Sequence, residues 1–138
     1  MKAITIWQPW ASLLACGAKK YETRSWATSY RGPIAIHAAA RKCDIGNLSG
    51  AANVAIMQAI TPLTRGKAKT TMYLPLDLLP RGAVIATAEL VDCWEISADP
   101  EGPFLCVEWD GTNGDHELIV KGDELLFGDF SSGRYAWE

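Results

Sequence analysis

Apolar and polar residues alternate through Ala3-Ile4-Thr5-Ile6, and three of these four are β-branched, which predicts a short opening strand. Gln8-Pro9 then suits a helix start, with Pro9 at the first helical position. Trp10, Leu13 and Leu14 follow at i, i+3 and i+4, giving one apolar stripe with Trp10 as a core residue, and Gly17 stands where a helix-ending glycine belongs. Residues 21–26 are expected as a second strand, 28–32 as a turn and 33–38 as a third strand. The alanine-rich run 44–60 places Leu48, Ala51, Ala52, Ala55, Ile56 and Ala59 at near-helical spacing and predicts a second helix. Prolines, glycine and basic residues over 61–80 predict loop. One long strand is expected over 82–94, another over 104–109, a turn over 110–115, and further strands over 118–120, 124–127 and 134–138.

Many short strands interrupted by two short helices predict an α+β chain built as a mixed β-barrel. A length of 138 residues fits one domain over 1–138, and 49% hydrophobic residues suffice for one core. No apolar run reaches the ~18 residues of a membrane span. The first residues lack the apolar stretch and cleavage site of a signal peptide, so a cytoplasmic protein without membrane contact is expected.

Cys16, Cys43, Cys93 and Cys106 are separated by 27, 50 and 13 residues, which matches no zinc or redox spacing. They are expected as reduced core residues. With only His37 and His116 besides, no metal and no cofactor is expected.

Net charge is −3, which disfavours a protein that coats nucleic acid by bulk electrostatics. The cations are nevertheless uneven. Lys19, Lys20, Arg24, Arg31, Arg41 and Lys42 fall within 24 residues, and the acidic residues gather later, which predicts one basic face.

The densest polar cluster beside predicted order is Gly17-Ala18-Lys19-Lys20-Tyr21-Glu22-Thr23-Arg24-Ser25-Trp26. Alternation along an extended segment puts Glu22 and Arg24 on one face, with Lys19 just before it. Lys and Arg donate to phosphate or carbonyl oxygens, while a carboxylate accepts from an exocyclic amine. A solvated strand with a surface Glu–Arg pair is the plainer alternative. Three of the six tryptophans, Trp7, Trp10 and Trp26, crowd this region. Exposed indoles stack on bases at roughly 1–3 kcal/mol per base, and core packing is the other reading. The candidate ligand-binding residues are therefore Lys19, Glu22, Arg24, Trp7, Trp26, Arg31 and Arg41. The expected ligand is RNA, single-stranded nucleic acid or a modified nucleoside.

Gly17-x-Lys19-x-x-Glu22-x-Arg24 resembles the GxKxxExR signature of the ASCH domain family. Flanking segments are similar too: 6–14, Arg24-Ser25-Trp26, Arg31-Gly32-Pro33, 82–93, 127–130 and 133–137. The resemblance implies a PUA-like mixed β-barrel with a cleft, two or more short flanking helices, and RNA-linked function. It also implies an alternative, because some small relatives look like amidohydrolases that act on N4-acylated cytidine. In those the motif lysine is the nucleophile and a threonine helps activate it. Carried over, Lys19 would be the reactive amine, Glu22 would stand at the threonine's position, and Arg24 would anchor substrate. Glu89, Asp99 and Glu101 are candidates for a further carboxylate. A third implication is a protein–protein module of a coregulator. Longer relatives continue past the Tyr-Ala-Trp-Glu strand, so a C-terminal strand is expected to be missing here, which would leave an exposed edge open to self-association.

Overall fold

A computed structural model of the chain describes residues 1–43, 45–65, 75–97, 105–108 and 116–138. The expected α+β class is met. The chain divides into two compact units, one comprising 1–19 and 33–88, the other 20–32 and 89–138.

Strand β2 (Glu22–Arg24) lies in the second unit; the first holds β1 (Lys2–Ile6), α1 (Trp10–Ala15), most of β3 (Gly32–Ala38), α2 (Gly50–Thr64) and most of β4 (Ala83–Leu90). β1 and β3 run parallel with Ile4 opposite Ile36, and the sheet order is β1-β3-β4. Alternation buries Ile4, Ile6, Ile34, Ile36 and Ala38. α1 packs against β1 and α2. Its start is held by Gln8, whose Oε1 accepts from Ser12 N–H at 3.1 Å while Nε2 donates to Pro80 O at 2.7 Å. Gly17 ends it as expected, at φ 78°. Trp10 is only half-buried; Ala11, Ser12 and Leu13 form the buried face instead.

α2 begins later than 44 and runs past 60. Ser49 caps it, accepting from Ala52 N–H at 3.2 Å, and this hydroxyl sets the start. Ala52, Ala55, Ile56, Ile60 and Thr64 form its buried stripe. Pro62 lies within the last turn, so part of the expected 61–80 loop is helix, and Pro75–Leu78 is a short 3₁₀ turn.

The second unit holds β2 (Glu22–Arg24), β5 (Cys93–Ser97), β6 (Leu105–Glu108), β7 (His116–Ile119) and β8 (Tyr135–Trp137), in the order β2-β8-β5-β6-β7, with neighbouring strands antiparallel. Tyr21, Ile96, Val120, Phe130 and Ala136 form its core, with Trp94 and Leu125 against it.

Four expectations need correction. The single strand over 82–94 is two, because Val91 and Asp92 turn their N–H groups to Glu138 O at 2.8 and 3.4 Å. The strand over 124–127 is instead a 3₁₀ turn, Gly122–Leu126, entered through Gly122 at φ 67°. Among the described residues the ladders form two sheets, and the single closed barrel is not seen in them. The expected turn over 110–115 lies outside the described residues. Of the expected core cysteines, Cys43 and Cys93 are only partly buried, and Cys16, at the end of a six-residue helix, is exposed.

Candidate functional site

β8 has β2 on one side and β5 on the other, and the register sorts the side chains of the second unit. Glu22 lies opposite Trp137, which lies opposite Cys93; Arg24 lies opposite Tyr135, which lies opposite Glu95. Directly paired residues project to the same side, and so do residues two apart. Glu22, Arg24, Tyr135 and Trp137 therefore share one face. The row between them, Thr23, Ala136 and Trp94, faces the core, where Ala136 is fully buried.

On that face Arg24 and Glu22 form an ion pair at 3.0 Å, with 19% and 15% of the two side chains exposed. The Arg24 guanidinium also lies 5.3 Å from the centroid of the Trp26 ring, within cation–π range. Trp26 is half-exposed, at 52%. It meets Trp137 edge to face, and Trp137 Nε1 donates to Trp26 O at 3.2 Å. Cation, carboxylate and indoles thus stand side by side, with an indole face still open to solvent.

The remaining predicted residues are placed as follows. Lys19 ends the first unit and is 2% exposed; its N–H donates to Leu13 O at 3.1 Å. In the same unit, Arg41 stacks over the Trp7 ring at 4.4 Å, and Trp7 is 55% exposed. Arg31, in the second unit, is engaged by Asp92 and by the main-chain oxygens of Thr28 and Tyr30. Glu89 is exposed, while Asp99 and Glu101 lie outside the described residues. The reading of residue types missed Tyr135 and Trp137. Their alternation with buried Ala136 was visible, but the strand they face was not.

Among the described residues no group of three metal-binding side chains converges, and no helix is long and apolar enough to cross a membrane.

Two compact units, mixed in secondary structure, with the motif strand paired to β8, define a small α+β module. The chain belongs to the ASCH domain family, whose model matches residues 4–113. It is 32% identical over 128 residues to human (Homo sapiens) activating signal cointegrator 1, covering 86% of this chain and 20% of that protein. It is 36% identical over 128 residues to the mouse (Mus musculus) protein of the same name, with the same coverage. The chain thus spans about a fifth of the length of these relatives.

Proposed function

We propose that the chain is a nucleic-acid-binding ASCH domain over 1–138, with a PUA-like barrel as its full architecture. Its ligand is RNA, another single strand or a modified nucleoside. The observation that carries the reading is Arg24, ion-paired to Glu22 at 3.0 Å and stacked at 5.3 Å on a half-exposed Trp26. Arg24 donates to phosphate or to base oxygens, Glu22 accepts from an exocyclic amine, and the indole takes a base on its face. Candidate contacts also include Lys19 and Trp7 with Arg41 in the first unit, and Arg31 in the second. A local surface of this kind suits a protein of net charge −3 better than bulk attraction does. Binding of labelled single-stranded RNA should weaken with salt and with Lys19→Ala. Unchanged affinity in that variant removes Lys19 from the proposed binding residues.

Burial of Lys19 favours a second reading, hydrolysis of N4-acylated cytidine, with Lys19 as nucleophile and Glu22 as its partner. Glu22 stands where such relatives have a threonine, and a carboxylate placed beside a lysine favours the ammonium over the nucleophilic amine. Incubation with N4-acetylcytidine should release cytidine if this reading holds. A third reading, a protein-binding coregulator module, draws on the relatives' name, cointegrator. It gains ground if no RNA in a broad panel binds. Self-association through an exposed edge strand belongs to the same proposal and is tested by light scattering.

A further inference from the structure

The carboxylate of Glu124 is directed at the main chain where β2 begins. Oε2 accepts from Lys20 N–H at 2.9 Å, and Oε1 accepts from Lys20 and Tyr21 N–H at 3.1 and 3.0 Å. These are the two residues just before Glu22. A carboxylate converging on consecutive amides makes charge-assisted bonds, roughly twice as strong as neutral ones. The same late segment touches β2 again. Asp129 N–H donates to Thr23 Oγ1 at 3.0 Å. Gly128 runs so close beneath that a Cβ there would lie 3.0 Å from Thr23 Cγ2 and 2.8 Å from the Phe130 ring. The stretch 124–130 thus grips 20–23 through the main chain and the core-facing Thr23, while Glu22 and Arg24 project from the opposite side of the strand.

We propose that Glu124 is a positioning residue for the ligand surface. It fixes the entry to β2, so that Glu22 and Arg24 stand in register with Tyr135 and Trp137 before any ligand arrives. A surface ordered in advance loses less entropy on binding. The consequence for affinity rests on the nucleic-acid reading above, whereas the geometry does not.

The test compares the full chain with Glu124→Ala and Glu124→Gln. Three signals are read: amide exchange at Lys20 and Tyr21, the Nε–Hε signal of Arg24, and anisotropy of a fluorescein-labelled, mixed-sequence single-stranded RNA. In Glu124→Ala, exchange at both amides should rise about tenfold, the Arg24 signal should move toward that of a mobile arginine, and Kd should rise about three- to tenfold. Protection at Ile96 and Ala136 should hold. Glu124→Gln keeps one acceptor oxygen and should fall between, a rescue that mere loss of stability would not give. If Glu124→Ala does not fold, Glu124→Gln carries the test with the same directions. Unchanged exchange overturns the proposal, as does a rise in exchange with no loss of RNA affinity. If the unsubstituted chain binds no RNA, the nucleic-acid reading fails by itself. The positioning role then stands or falls on whether the Arg24 signal moves.

Discussion

Trp137 holds Trp26 in two ways: its indole N–H donates to Trp26 O at 3.2 Å, and the rings meet at 89° with centroids 6.2 Å apart. The last strand thus supports the indole that the motif strand leads into. An edge-to-face pair contributes about 0.5–1.5 kcal/mol beyond its buried area. Trp137→Phe keeps a ring edge and loses the donor; Trp137→Ala loses both. RNA affinity should fall about threefold in the first and about tenfold in the second. Fluorescence anisotropy measures both.

Arg24 is the cation whose shape matters. Arg24→Lys keeps the charge but loses the planar fork that faces Glu22 and stacks on Trp26. It should lose about tenfold in affinity while the salt slope stays nearly unchanged. Arg24→Ala should lose more, and the slope of log K against log salt should shrink by about 0.7, the value for one phosphate contact on a single strand. Titrations at several salt concentrations separate the two variants.

Acid should act on the turn before β8. The Asp129 carboxyl is held below its ordinary value of 3.8, chiefly by the Ser131 hydroxyl, which donates at 2.7 Å. Partial burial opposes this, while Ser131 N–H and the Arg134 charge add to it. A group whose folded pKa is lowered stabilises the fold above its unfolded value, and that contribution disappears as pH falls through the folded one. The carboxylate is largely exposed, so the effect is small. Asp129→Asn should lower Tm by about 2 °C at neutral pH. The gap should start to close as pH drops toward 3.8 and be gone below the lowered folded value. Thermal melts of both proteins across this range check the sign.

Each unit has a core residue whose truncation should be costly. Ile56 in α2 is fully buried, and Ile96 in β5 is 1% exposed. Ile56→Ala and Ile96→Ala should each destabilise by about 2–5 kcal/mol, the cost of lost transfer energy plus a residual cavity. Denaturant unfolding measures both. Ile96→Ala should also weaken RNA binding, since Ile96 packs in the core beneath the β2–β8 face.

Local order was legible where a local cause sets it. Alternation put Glu22 and Arg24 on one face, and Gly17 marked the end of α1 by the positive φ it adopts. The non-local parts were not legible. Nothing in the composition pairs β2 with β8, so Tyr135 and Trp137 could not be assigned to the motif's face. The run Leu125-Leu126-Phe127 is too short for its period to separate a strand from a helical turn. Gly122 and the reach of Glu124 to the Lys20 and Tyr21 amides decide for the turn. The break at Val91 and Asp92 has no glycine or proline to announce it; a main-chain oxygen from Glu138 makes it.

The most direct measurement is an NMR titration with single-stranded RNA that follows the indole N–H signals. Trp26 and Trp137 belong to the proposed ligand surface, whereas Trp94 is on the core side, its Nε1 donating to Glu138 Oε2 at 2.9 Å. The signals of Trp26 and Trp137 should shift together and saturate at one Kd while Trp94 stays in place. Movement of Trp94 alone, or RNA bound with Trp26 and Trp137 both unmoved, would contradict the account.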